Sequence, residues 1–392
     1  MIDRQIGQSC TGCSACSGRC PTAAISMKED AEGFLVPSVD NELCVECGLC
    51  VRVCPVLGDR RANESEKPVV YAGWNLDEEV RCSSSSGGIF PALANAVLAQ
   101  GGEVAGAAYD QELSVRHVLI RSGEEISVLG QSKYTQSNPE GVFGQIGELL
   151  ACGKKVLFCG TPCQVAGLKR YLGCDNENLF TCDFICHGVI SPKVYRKYLN
   201  DIGKIHKSKP VSIQFKNKDY GWNRFSTKIE MENGNVHQMD RTEDWYTMGY
   251  TKHHLYVRSS CHECLFRTIP RVSDITLGDF WGIGKLKAEL DDDRGTSAIL
   301  VNSAKGAQML DWIRDQLYLE ERSFEDVLAG NVSLIQSPER GEFREYFFEH
   351  MDRMRFDKLI MKIEEKSWHL TPKEKVLREL HLLKVKLKDW IK

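Results

Sequence analysis

Eight of the seventeen cysteines lie within the first 55 residues and write one pattern twice: Cys10, Cys13, Cys16 and Cys20-Pro21, then Cys44, Cys47, Cys50 and Cys54-Pro55. The repeated C-x2-C-x2-C-x3-C-P spacing suits a chain wound around two 4Fe-4S clusters. Three close thiolates hold one cube, and the fourth, beside its proline, crosses to the other. The spacing therefore assigns Cys10, Cys13, Cys16 and Cys54 to one cluster, and Cys44, Cys47, Cys50 and Cys20 to the second. Paired C-x2-C units also suit tetrahedral zinc, but zinc needs two close pairs, whereas each run here supplies four thiols and a proline.

A two-cluster ferredoxin-type module uses only about the first 60 residues of a 392-residue chain, so further domains must follow. The formal charge of -4 and a pI near 6.2 give no overall basic field, which argues against nucleic acid as a partner. The size of the chain, the absence of an apolar leader after Met1 and the cluster spacing argue against a disulfide-built secreted protein. No apolar run approaches the ~20 residues that cross a bilayer. The expectation is a soluble, cytoplasmic protein without a transmembrane segment.

Between the cysteine runs, Ala24 to Met27 and Phe34 to Pro37 flank a turn-like Glu29 to Gly33, which predicts a hairpin. Gly58 to Pro68 is charged and lacks apolar periodicity, so it reads as a linker. Strands and helices then alternate. Val69 to Trp74, Val104 to Tyr109, Val115 to Arg121, Lys155 to Cys159 and Leu179 to Cys186 read as strands, and Gly88 to Gln100 and Gln164 to Leu172 as helices. Ser212 to Phe215, Ser226 to Met231 and Asn235 to Met239 add an antiparallel patch. After about residue 340 the chain turns helical, with Leu377, Leu380, Leu383, Leu387 and Ile391 on one face. The fold class expected is mixed α/β (α+β): a two-cluster module over 1–60, a mixed-sheet domain in two parts, 69–150 and 151–330, and a helical tail over 340–392. The tail helix is expected to dock on the body or on a second subunit.

Three stretches in the large domain carry chemistry. Ser83-Ser84-Ser85-Ser86-Gly87-Gly88 runs straight into an apolar helix, a setting in which small residues and first-turn N–H groups suit an anion. There is no GxGxxG after a strand and no Walker A sequence, so neither a Rossmann site nor a P-loop is supported. Gly160-Thr161-Pro162-Cys163-Gln164 predicts a helix capped by Thr161 with Pro162 in its first turn. Cys163 then lies where a helix dipole favours thiolate. Cys261-His262-Glu263-Cys264, flanked by Arg258, Arg267 and Arg271, is a further C-x2-C pair. With Cys163 and Cys186 it makes a four-thiol set, while a dithiol redox pair or zinc also fits the bare spacing. Cys82, Cys152, Cys159, Cys174 and Cys182 are expected to be buried and inert.

Taken in order, Ser84 to Phe90, Ser132-Lys133-Tyr134, Gly160 to Gln164, Cys186-His187-Gly188-Val189, Cys261-x2-Cys264 and Ser273 to Gly282 resemble the coenzyme F420 hydrogenase/dehydrogenase beta-subunit family over roughly residues 69 to 325. The resemblance implies an FAD-binding domain with a 4Fe-4S cluster of its own. It implies flavin contacts from Ser85, Ser86, Gly87, Gly88, Lys133, Gly160 and Thr161, and cluster ligands Cys163, Cys186, Cys261 and Cys264. The expected function is a relay of single electrons between a ferredoxin- or flavodoxin-type partner and FAD, for hydride transfer to or from an organic substrate or a deazaflavin coenzyme. The alternative is an electron-transfer subunit of a larger complex. Lys133 and His187 are the candidate proton carriers, His187 otherwise being a surface histidine, and Asp279 and Trp281 the candidate pocket residues.

Overall fold

The computed structural model describes residues 1–58 and 67–367, so the leucine-striped stretch from Leu377 to Ile391 and most of the charged linker lie outside the described residues. In the N-terminal module, β1 (Ile25–Glu29) and β2 (Leu35–Val39) form an antiparallel hairpin. The turn is built by Asp30, whose carboxylate accepts from the N–H groups of Glu32 and Phe34 at 3.0 and 2.9 Å. Ile2, Ile6, Cys10, Cys16, Ile25 and Cys54 make a small core beneath it.

The next five strands are β3 (Val69–Asn75), β4 (Glu103–Tyr109), β5 (Val115–Ile120), β6 (Val156–Cys159) and β7 (Leu179–Phe184). An antiparallel sheet of β8 (Pro210–Asn217), β9 (Ser226–Met231) and β10 (Val236–Asp240) follows, and then β11 (Ile275–Asp279), β12 (Ser297–Val301) and β13 (Leu317–Arg322) return to the main sheet. The eight-stranded sheet has the order β13-β3-β12-β11-β7-β6-β4-β5. Within it β4, β6, β7 and β11 are parallel neighbours and every other pairing is antiparallel, so both parts of the large domain build one mixed sheet.

Alternation along β6 shows how the sheet is covered on both faces. Leu157 packs with Ile89, Leu93 and Val97 of the Ile89–Leu98 helix, whereas Val156 and Phe158 point the other way, among Phe143, Ile146, Val165 and Leu168 of the helices Val142–Ala151 and Pro162–Leu172. A separate aromatic core of Tyr195, Tyr198, Phe215, Tyr246, Tyr256, Phe347 and Phe356 joins the antiparallel sheet to the helices Pro192–His206 and Phe356–Ser367. Among the described residues no helix is long and apolar enough to cross a membrane.

The module is bolted to the large domain. Arg258, 3 % exposed, donates to the carbonyls of Cys10 (2.6 Å) and Leu35 (2.9 Å) and to Gln136 Oε1 (3.3 Å), which also accepts from Leu35 N. Gly12 closes that contact: it sits at φ +70°, and a Cβ there would stand 2.2 Å from Gln136 Nε2. Arg344, fully buried, pairs with Glu32 of the hairpin turn.

Candidate functional site

The carboxyl ends of β6, β7 and β11 open on one side of the sheet, where ligands of α/β sheets bind. A cavity of about 910 Å³ lies there, walled by Gly160 and Thr161 after β6, Cys186 and His187 after β7, and Asp279 and Trp281 at β11. Ser85, Ser86, Gly88 and Lys133 share that wall, and Thr11 reaches it from the N-terminal module. Gly87 does not line the cavity: its N–H donates to Ser297 Oγ at 2.9 Å, and a Cβ on it would meet the Gly73 carbonyl at 2.6 Å. Of the seven small and cationic residues expected on the wall, Gly87 is therefore the one that instead seats the loop against β3 and β12. The neighbouring serine hydroxyls face inward to protein partners, Ser84 to the Val80 carbonyl (2.7 Å) and Ser86 to that of Thr296 (3.3 Å), which differs from an open anion cradle.

Lys133 donates to the carbonyls of Leu129 and Gly130, and burial pulls its ammonium down to about 8, with Cys159 acting against the fall. His187 is not the surface histidine expected. Its Nδ1 meets Ser333 Oγ at 3.0 Å, its ring lies 5.1 Å from that of Tyr250, and burial with His254 and Arg267 nearby pushes it to about 4. At neutral pH it is an uncharged imidazole and so not a ready acid. Asp279 pairs with Lys216 and accepts from Trp222 Nε1 at 2.9 Å, and Trp281 stacks on Trp222 with centroids 4.7 Å apart.

Four buried polar atoms on residues of the wall have no protein partner: His117 Nδ1, Thr135 Oγ1, Gln136 Nε2 and His187 Nε2. Unmet polar groups of this kind are satisfied by ordered water or by a bound ligand. A cavity of this size edged by such atoms fits a large planar cofactor with a polar rim such as a flavin. The sequence reading missed His117, Thr135, Gln136, Lys216 and Arg241. Thr135 and Gln136 directly follow the Ser132-Lys133-Tyr134 motif and were within reach; the others sit in or just after strands with no local signature.

The cysteines fall into groups. Cys13 is pushed up to about 12 by burial and by the nearby Cys10 and Cys54, and Cys16 is raised by burial and by Cys13, Cys10 and Cys54. Cys10, Cys13, Cys16 and Cys54 thus sit together. In the other N-terminal set, Cys20 and Cys50 flank the same small core, Cys44 is half-buried and Cys47 is exposed. Cys163 is raised well above the ordinary thiol range by burial and by Cys261, Cys186 and Cys264, and Cys186 goes to about 12 for the same kind of reason. Three chain segments therefore bring Cys163, Cys186, Cys261 and Cys264 into one group.

Thr161 caps its helix as expected, its side chain accepting from Gln164 N with Pro162 in the first turn. The expected thiolate preference of Cys163 is reversed, because loss of solvent outweighs the helix end. Cations offset this only in part, Arg267 at Cys186 and Arg258 with Arg267 at Cys261, and bound iron would supply the remaining positive charge. Backbone N–H groups donate to Cys10, Cys20 and Cys261 Sγ at 3.4, 3.3 and 3.4 Å, bonds of the kind that tune cluster potentials where such sulfurs hold iron. Among the described residues no three His, Cys, Asp or Glu side chains converge as ligands for a single ion; the grouping is looser. Cys82, Cys152 and Cys174, expected to be buried, are exposed, whereas Cys182 is buried and Cys159 half-buried.

The Pro162–Leu172 helix links two of these groups. Gly167 lies one turn, about 6 Å, beyond Cys163, and a Cβ on Gly167 would touch both Cβ and Sγ of Cys13 at 2.9 Å. Sulfur-rich sites in series beside a cofactor-sized cavity define the class: an oxidoreductase-type polypeptide with an iron–sulfur module. Residues 153–327 match the family described as the C terminus of the coenzyme F420 hydrogenase/dehydrogenase beta subunit, and residues 9–57 match the 4Fe-4S dicluster domain. Residues 153–327 thus carry the C-terminal domain of that beta-subunit family, behind an N-terminal 4Fe-4S dicluster domain.

It is 22% identical over 328 residues to a subunit of the F(420)H(2) dehydrogenase from Methanosarcina mazei, an overlap spanning 80% of this chain and 84% of that one. Its N-terminal part is 38% identical over 58 residues to "Ferredoxin-2" of Chlorobaculum tepidum, covering 13% of this chain and 86% of that one. Among solved structures, a chain of the F420-reducing [NiFe] hydrogenase complex from Methanosarcina barkeri aligns with a TM-score of 0.45 at 19% identity, over 78% of this chain and 95% of that one.

Proposed function

We propose that the chain is an iron–sulfur flavoprotein oxidoreductase. It takes single electrons from a ferredoxin- or flavodoxin-type donor and delivers them in pairs, as hydride, to an organic substrate or a deazaflavin-type coenzyme, or runs the reverse. The observation that carries this reading is the Pro162–Leu172 helix: its first turn holds Cys163, its next turn abuts Cys13, and the loop before it walls the cavity. When bound, 4Fe-4S clusters move electrons singly and FAD exchanges them for pairs.

Cys10, Cys13, Cys16 and Cys54 would hold one cluster; Cys20, Cys44, Cys47 and Cys50 a second, near the surface; and Cys163, Cys186, Cys261 and Cys264 a third. Ser85, Ser86, Gly88, Lys133, Gly160 and Thr161 would contact the flavin, with Gly87 shaping their loop from behind. His117, Thr135 and Gln136 offer unmet hydrogen-bonding atoms to a polar ring edge. Arg258 and Gln136 hold the module at a fixed distance from the cavity, which suits transfer between sites that must not drift. Lys133, with its ammonium near 8, is placed to hold or release a proton at the wall, while His187, uncharged at neutral pH, would serve there as a proton acceptor and not as an acid.

On this reading residues 1–60 are the electron-entry module, 69–150 and 151–330 the two parts of the flavin domain, and 340–392 a helical tail that docks on the body or on a second subunit. The thiol sites call for reducing surroundings, hence the cytoplasm. A second reading, a subunit passing electrons to a partner enzyme without a substrate of its own, is supported by the relative being named as a subunit. The test is anaerobic mixing of the holoprotein with reduced ferredoxin while the visible flavin band is followed. Wild type is expected to bleach, and Cys163→Ala to keep its flavin but bleach far more slowly. A Cys163→Ala variant that bleaches at the wild-type rate removes the third site from the route.

A further inference from the structure

Cys159 and Cys182, outside all three cysteine groups, face one another at the floor of the cavity. Cys159 ends β6, Cys182 lies in β7, and the parallel pairing sets the two residues directly opposite. Neighbouring strands run about 4.8 Å apart, and a disulfide spans Cα atoms roughly 4.4–6.8 Å apart. Opposite residues of paired strands leave the same face of the sheet, and the two side chains pack in one cluster; Cys159 and burial together raise the Cys182 thiol well above its ordinary range. Both are free thiols and both line the cavity. Cys182 is 1% exposed, whereas Cys159 is half-buried. The Lys133 amine interacts electrostatically with Cys159, and His117 Nε2 donates to the Cys159 carbonyl at 3.1 Å.

We propose that Cys159 and Cys182 form a reversible dithiol–disulfide couple inside the cavity and exchange an electron pair with the flavin bound there. The exchange rests on the function proposed above; the couple itself does not. Oxidation breaks two S–H bonds and joins the sulfurs. The electron pair and one proton reduce the flavin, and the second proton goes to solvent; reduction reverses each step. Cys159 is the attacking sulfur, being the more accessible of the two.

The test equilibrates anaerobic holoprotein with dithiothreitol buffers of graded oxidised-to-reduced ratio, alkylates the remaining thiols and sequences the peptides by tandem mass spectrometry. Trypsin leaves Cys159 with Cys163 on peptide 156–169 and Cys182 with Cys174 and Cys186 on peptide 171–193, so the link must be assigned from fragments. A Cys159–Cys182 link should rise with the oxidised fraction, vanish in excess reductant, and be absent from Cys159→Ser and from Cys182→Ala, with iron content unchanged in both. Two separately alkylated thiols at every ratio, or Cys159 linked to Cys163 instead, overturns the couple. Flavin measured on the same samples separates the two claims: a reversible link in flavin-free protein overturns only the exchange with flavin.

Discussion

Gly167→Ala sets two effects of known size against each other. In the interior of the Pro162–Leu172 helix, alanine is favoured over glycine by about 1 kcal/mol. At this position, however, the new Cβ would stand 2.9 Å from both Cβ and Sγ of Cys13, atoms of a short side chain fixed between Cys10 and Cys16. Overpacking of that kind costs roughly 1–3 kcal/mol, so the net change is between nothing and a loss of about 2 kcal/mol, with the strain delivered to a cluster ligand. Gly147→Ala is the matched control. It lies in the Val142–Ala151 helix, and its Cβ would meet only Leu172 Cδ2, at 3.6 Å. Thermal unfolding and iron content of the two variants should diverge: Gly147→Ala gains stability and keeps its iron, while Gly167→Ala gains none and shows an altered EPR signal from the first N-terminal cluster. Equal stabilisation of both variants with identical EPR spectra would refute the close approach of this helix to Cys13.

Three further outcomes are expected. Arg258→Ala strips the donors from the Cys10 and Leu35 carbonyls; at about 1–3 kcal/mol for each unmet group, amide exchange at residues 10–14 and 34–36 should accelerate by tenfold or more. Gly87→Ala drives a Cβ against the Gly73 carbonyl and should lower the melting temperature, with flavin lost only in proportion to unfolded protein. Burial lowers Lys133 from 10.5 to about 8, so the folded chain binds fewer protons than the unfolded one between those values and stability rises with pH across that window. Unfolding curves of Lys133→Met should lack that rise.

The parts of this fold that were legible in the sequence are those in which neighbours in the chain are neighbours in space. The two cysteine runs, the hairpin turned by Asp30, the apolar strands and the Thr161-Pro162 helix start all announce themselves within a few residues. What could not be read is convergence. His117 and Lys216 meet the cavity from two different sheets, and Arg241 from just past the end of β10, so nothing in the flanking residues of any of them marks the role. Burial was misjudged where residue type was allowed to decide it. Cys82, Cys152 and Cys174 sit on exposed positions, and Cys163 is governed by loss of solvent more than by the helix end that carries it. Gly87 was grouped with its Ser/Gly neighbours, although only the pairing of β3 with β12 reveals that it faces away from the cavity.

The most direct measurement is iron and flavin per polypeptide in protein purified without oxygen, set beside its visible spectrum. Three four-iron sites and one flavin site call for about twelve irons and one FAD, in brown material with a flavin shoulder. Protein that is folded and fully reconstituted, yet holds about eight irons and no flavin, contradicts the account.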